Sequence, residues 1–262
     1  MELGIRGRKA IVNGASAGMG KEAALALARE GVDLCICARG VERLEATARE
    51  IASLSRVAVV PIAADHSTEE GRGRILAACP EPDILVGTCS PPRMTPDYRA
   101  IELAQWREAL DVGLLGPVEF MKSVLDGMVA RRWGRIVNIA TVAAKYPLEI
   151  RVLSGGPRAA LANYCGAVAS RVIKDGVTIN TVLPGMFHTA YTRAQFSERA
   201  EAAGSTYDEE VTRFSQAMGI AAGRFGEAED VGSLVAWLCS RNAGYITGQS
   251  IVIDGGANRS TF

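Results

Sequence analysis

The 262-residue chain is 48% hydrophobic and 22% charged, proportions of a globular protein rather than a disordered or membrane-embedded one, and long enough for one large α/β domain. Its 29 basic and 29 acidic residues balance, which removes the broad electrostatic footprint of a nucleic-acid or anionic-membrane binder. No run approaches the roughly 18 apolar residues of a membrane span, and the opening MELGIRGRKAIVNG lacks a signal-type apolar core, so a cytoplasmic protein is expected.

The first strand is expected at residues 9–13, where an apolar run leads into Gly14-Ala15-Ser16-Ala17-Gly18-Met19-Gly20. Glycines let such a turn close tightly and let the backbone approach a pyrophosphate, while the helix beyond offers unpaired N–H groups and a partial positive charge. That helix, residues 21–30, is rich in helix formers and stops at Gly31. Strands follow at 32–38, 57–62, 83–86, 135–140, 177–183 and 250–254, with helical segments filling most gaps. A second long helix is expected at 157–174, with Pro157 in its first turn and Leu161, Val168 and Val172 among its apolar positions. Residues 186–222 form a long polar insertion, read as a substrate lid rather than a second domain. This alternation builds a single Rossmann-type, doubly wound parallel sheet with helices on both faces, one α/β domain over residues 1–262. The six cysteines lack the paired spacing of a zinc site and are read as mostly buried small hydrophobes, with no metal expected.

Set between a strand and a helix, the Gly14, Gly18, Gly20 spacing resembles that of the short-chain dehydrogenase/reductase family, and the similarity runs along nearly the whole chain. Asp65 follows the third strand as the family's adenine-contacting aspartate does. Asn180 to Gly185 resembles the family's N-x-x-x-P-G, and Thr189 falls where a threonine usually meets the nicotinamide end. Arg224-Phe225-Gly226 and Ile253-Asp254-Gly255-Gly256 resemble its closing segments. The resemblance implies a nucleotide site that starts with Gly14, Ser16, Gly18, Met19 and Gly20. It continues through Arg39, Asp65, Arg158, Pro184, Gly185 and Thr189. Cys37-Ala38-Arg39 lacks the carboxylate that would hold an adenosine ribose, and a guanidinium there suits a 2′-phosphate, so NADP is favoured over NAD.

The catalytic end departs from the family pattern. Thr141 takes the serine place that holds the substrate oxygen, but the same count reaches Ser154 where a tyrosine is usual and Arg158 where a lysine is usual. A phenol with a pKa near 10 can be tuned toward neutrality by an adjacent cation, whereas an aliphatic hydroxyl is far too weak an acid. Arginine keeps its proton, yet it can hold ribose hydroxyls or polarise an oxygen. Gly113 stands in the place of a relay asparagine, and Gly87-Thr88-Cys89-Ser90 replaces an asparagine-rich turn before Pro91 and Pro92. Tyr146, beside Lys145, and His188 are candidate replacement acids; the plainer readings are a packing aromatic and a solvent-facing loop histidine.

An atypical NADP-dependent oxidoreductase acting on a small carbonyl or alcohol is therefore expected. The alternatives are a nucleotide-binding regulator or inactive partner without redox activity, and a non-redox lyase or isomerase. Halohydrin dehalogenases, which resemble this family, also carry arginine in the lysine place, but they keep the tyrosine and lose the glycines, the reverse of this chain. The resemblance further implies a homodimer or homotetramer, for which the apolar stretch 243–256 is suited.

Overall fold

Isoleucine, valine and cysteine fill the strand segments, and in the computed structural model, which describes residues 2–95 and 97–259, they pair into one sheet. In chain order the elements are β1 (Lys9–Asn13), α1 (Gly18–Arg29), β2 (Asp33–Ala38), α2 (Val41–Leu54), β3 (Val59–Ala63) and α3 (Glu69–Ala78). Next come β4 (Ile84–Gly87), α4 (Leu103–Leu110), α5 (Gly116–Ala130), β5 (Gly134–Ile139), α6 (Val152–Val172) and β6 (Val177–Pro184). The chain closes with β7 (Phe187–His188), α7 (Ala190–Ala203), α8 (Tyr207–Ala217), β8 (Gly226–Glu227), α9 (Ala228–Leu238) and β9 (Ser250–Ile253).

Seven strands form a sheet in the order β3-β2-β1-β4-β5-β6-β9, and every pairing in it is parallel. Side chains alternate across each strand, so Ile11 and Val12 enter different cores. One core holds Val12 with Leu27, Val231 and Val235; the other holds Ile11 with Leu85, Phe120 and Ile179. Burial on both faces explains the near-continuous apolar strands. Pro61 sits in β3, an edge strand, where its missing N–H costs the ladder least.

The expected strands are all present, with ends shifted by one or two residues. One helix start needs correction. The helix expected from Pro157 begins five residues earlier, at Val152, with Pro157 inside it. Leu153 and Ser154 are buried by packing on the turn after β5, and this tertiary contact outweighs proline's preference for a first turn. Within residues 186–222, α7 and α8 enclose an apolar cluster of Phe196, Val211, Ile220 and Phe225. The apolar periodicity of α7 is weak, which hides it in the sequence, whereas α8 carries a clear apolar face.

The contact between α1 and α9 fixes the helix that follows the glycine turn. A Cβ on Gly232 would come within 2.6 Å of the Glu22 carbonyl oxygen. Gly232→Ala is expected to lower the denaturant midpoint by an amount equivalent to about 1–3 kcal/mol, through overpacking of backbone on backbone.

Candidate active site

The strand order reverses direction at β1, which has β2 on one side and β4 on the other; the crevice beyond the carboxyl ends of these strands is where a doubly wound sheet places a ligand. The turn from β1 to α1 borders it. Gly14 has φ +69° and Gly18 has φ +57°, the left-handed region that glycine adopts without strain. A Cβ on Gly14 would lie 2.8 Å from both the Thr88 carbonyl oxygen and Cγ2, and one on Gly20 would overlap the Gly14 carbonyl oxygen. Asn13 donates from Nδ2 to the Thr88 carbonyl at 3.0 Å, holding the turn after β4 against this one. Ala17 supplies no side-chain cap, so the leading N–H groups of α1 have no side-chain acceptor. Ser16 and Met19 are half-buried along the same turn.

At the rim, exposed Arg39 ends β2 and lies close enough for its charge to act on Asp65 and His66. Burial alone would raise the Asp65 carboxyl. Hydrogen bonds from the Ser67 hydroxyl (2.7 Å) and amide (2.9 Å) outweigh it and, aided by His66 and Arg39, hold that carboxyl below its ordinary value. On the far side, Thr189 caps α7 by accepting from the Thr192 amide, and its methyl lies 3.6 Å from where a Cβ on Gly18 would stand. The start of the helical insertion thus meets the glycine turn. Pro184 and Gly185 lead into it from β6, with Gly185 pressed against Asp254.

Thr141 follows β5, and its Oγ1 accepts from the Ala143 amide at 3.3 Å, which leaves the hydroxyl hydrogen free to donate. The first turn of α6 packs on this segment: a Cβ on Gly155 would lie 2.7 Å from the Ala143 carbonyl oxygen. Ser154 and Arg158 sit one turn apart on α6 and are 3% and 4% exposed. Arg158 donates through Nη1 to the Ser154 hydroxyl and carbonyl, both at 3.3 Å. Through Nη2 it reaches the Cys89 sulfur at 2.9 Å and the Ser90 carbonyl at 3.5 Å. The guanidinium therefore bridges α6 and the turn after β4. Cys89, read from sequence with the buried cysteines, is instead half-buried at the crevice because it faces this cation.

Residues 111–115, between α4 and α5, form a π-helical turn, a feature often found beside functional sites. It directs Gly113 at Arg158: a Cβ there would stand 3.6 Å from Nη1 and 3.1 Å from the Pro157 side chain. The tighter of the two contacts is with Pro157, so the glycine lets the π-helical turn pack closely on α6 beside Arg158. A small cavity of about 10 Å³, lined by Cys89, Gly113, Asn138 and Arg158 among others, remains beside it, enough for about one water.

The two candidate replacement acids fall in different surroundings. His188 is in β7, not a solvent-facing loop: Nδ1 is 2.6 Å from the Tyr207 hydroxyl, the ring packs on Phe225, and Nε2 is 4.0 Å from Glu227. Pairing of β7 with β8 turns it toward the helical insertion. Tyr146 is half-buried with Lys145 Nζ 5.6 Å from its ring centroid. Sequence reading missed Arg151, one turn before Ser154 on the approach to α6, and Tyr191, in the first turn of α7. The three-and-four spacing 151, 154, 158 was the available signal, but the helix start expected at Pro157 hid it, whereas the helix begins at Val152.

A family model described as Enoyl-(Acyl carrier protein) reductase matches residues 14–258. A 3-oxoacyl-[acyl-carrier-protein] reductase of Aquifex aeolicus is 32% identical over 98% of this chain and 99% of its own length. An uncharacterised oxidoreductase of Bacillus subtilis is 29% identical over the full length of both chains. Among solved structures, L-sorbose reductase from Gluconobacter frateurii, complexed with NADPH and L-sorbose, superposes with a TM-score of 0.93 at 26% identity, covering 99% of this chain and 100% of that one. A 3-oxoacyl (acyl-carrier-protein) reductase from Agrobacterium tumefaciens with NADP bound superposes with a TM-score of 0.86 at 27% identity, covering 97% and 96%.

Proposed function

This chain belongs to the short-chain dehydrogenase/reductase family, and from that premise we propose that it is an NADP-dependent oxidoreductase of a small carbonyl or alcohol with an altered proton-transfer site. The observation that carries the cofactor reading is the uncapped start of α1 behind Gly14 and Gly18, with Arg39 at the rim beside Asp65. These residues fit the group: the free N–H groups take a pyrophosphate, Arg39 takes a 2′-phosphate, and the free carboxylate oxygen of Asp65 can accept from adenine. Similar reductases crystallised with NADPH or NADP support the same choice.

When bound, the nicotinamide supplies or accepts the hydride. The chain's own part is to hold and polarise. Thr141 donates its hydroxyl hydrogen to the substrate oxygen. Arg158 takes the lysine place, where it orients the ribose and stabilises negative charge developing on that oxygen. Ser154 positions Arg158 by accepting its Nη1 hydrogen. Neither residue is an acid fit to protonate an alkoxide, and an isolated water is no stronger, so Thr141 and Arg158 hold the developing charge while a proton from buffered bulk solvent is relayed through water in the small cavity beside Gly113 and Cys89, leaving Arg158 protonated throughout. His188, engaged by Tyr207, serves the insertion, which acts as the substrate lid. A homodimer or homotetramer is proposed as well, supported by the half-buried edge strand β9 and by Tyr245, which is 99% exposed.

Fluorescence titration tests the cofactor reading. NADPH is expected to bind roughly tenfold or more tightly than NADH, and Arg39→Glu is expected to reverse that order by repelling the 2′-phosphate. Absence of binding by either nucleotide would refute the reading; binding without turnover on any carbonyl would favour a regulator.

A further inference from the structure

Two guanidinium groups at the start of α6, that of Arg158 buried and that of Arg151 half-buried, have no acid paired with them among the described residues. Arg158 is 4% exposed and bonds only neutral partners: the Ser154 and Ser90 carbonyls, the Ser154 hydroxyl and the Cys89 sulfur. Arg151 stands one turn before Ser154, flanked by the Tyr191 phenol and close enough to Arg158 to feel its charge. Its Nη1 is buried with no hydrogen-bond partner. Among the described residues, no carboxylate lies within 4 Å of either guanidinium.

Elsewhere in this protein the buried Arg135 has its Nε and Nη1 hydrogens taken up by backbone carbonyls. Arg135 donates to the Ser240, Gly134 and Gly176 carbonyls and stacks on Trp133. Arg151 has the Tyr191 phenol beside it but leaves Nη1 unpartnered, and burial draws its guanidinium below the ordinary value while Tyr191 opposes that shift. A half-buried cation with an idle donor is costly unless an acceptor arrives to complete it. Its position restricts what that acceptor is. The pyrophosphate cradle lies at Gly14 to Gly20, whereas Arg151 leads into α6 three residues before Ser154, with Tyr191 of the first turn of α7 beside it.

We infer that the substrate is an oxo acid or hydroxy acid whose free carboxylate docks on the planar fork of Arg151 while its reacting oxygen meets Thr141. The inference rests on the oxidoreductase reading above and names the substrate class for that same site. Tyr191, carried in the first turn of α7, lies beside the guanidinium, so the insertion contributes to the same carboxylate site. A guanidinium fork matches a carboxylate through two parallel hydrogen bonds, which a neutral sugar or an ester cannot reproduce. A site that spends a buried donor on one substrate group discriminates strongly against analogues lacking it.

The experiment compares pyruvate, acetoacetate and levulinate with their methyl esters and with L-sorbose, following NADPH oxidation by the full chain. At least one acid is expected to exceed its ester in kcat/KM by roughly tenfold or more, chiefly through KM. Arg151→Met should collapse the acid-to-ester ratio toward one, and Arg151→Lys, which keeps charge but loses the fork, should fall between. Calorimetry of the same acids on the wild type and Arg151→Met supplies a second readout that needs no turnover. Acid binding lost in Arg151→Met supports the site even if no carbonyl is reduced, an outcome that would count against the oxidoreductase reading alone. Esters or sorbose preferred to every acid, or an equal loss for acid and ester in Arg151→Met, would overturn the carboxylate site while leaving NADPH-dependent reduction standing.

Discussion

Arg158→Met is expected to cut kcat/KM for carbonyl reduction by about 10²–10³-fold, the scale on which one preorganised charge-stabilising donor contributes. The side chain bridges α6 and the turn after β4, and its loss removes the only guanidinium that the site places next to both Ser154 and Cys89. Stability is expected to move the other way or hardly at all. Methionine fills much of the same volume, and it replaces a 4%-exposed cation with no compensating acid among the described residues. A thermal midpoint equal to or above that of the wild type, together with the activity loss, is the anticipated pair of results. Unchanged kcat/KM would refute the role given to Arg158; a large fall in midpoint would show that its hydrogen bonds hold the crevice together instead.

The second large effect is expected at the glycine turn. Gly14→Val should weaken NADPH binding by at least about 100-fold in a fluorescence titration and destabilise the fold by about 2–4 kcal/mol. Two costs combine. A β-branched residue is strained at φ +69°, and its Cβ would stand 2.8 Å from the Thr88 backbone, which Asn13 holds in place. The turn must open to relieve that contact, and opening it moves the first N–H groups of α1 away from the pyrophosphate. Wild-type affinity for NADPH in Gly14→Val would mean that the nucleotide is held elsewhere.

How much of this was readable along the chain varies from residue to residue. Thr141, Ser154 and Arg158 were placed by counting, and the structure puts them on neighbouring segments because the α6 turn packs on the turn after β5. Gly113 was identified as a missing side chain, but its surroundings were not legible: the π-helical turn presses it against Pro157 of α6, next to Arg158. Cys89 read as one more buried thiol, since nothing local links it to a guanidinium 69 residues away. His188 read as a loop residue because a two-residue strand leaves no periodic trace; its pairing with β8 depends on Phe187 meeting Gly226.

Strand-length apolar runs, helix formers between them and the glycine pattern at positions 14, 18 and 20 were sufficient for the doubly wound sheet and its nucleotide crevice. These signals are local: a strand's burial, a helix's propensity and a glycine's allowed φ are written within a few neighbouring residues. Folding alone assigned partners to the polar groups of the catalytic end, bringing Arg158 to Cys89, Arg151 to Tyr191 and Thr189 to Gly18 across separations that no local rule spans. The physical reason is that a buried charge is shaped by what surrounds it in space, and in a parallel sheet those surroundings come from strands and helices far apart in the chain.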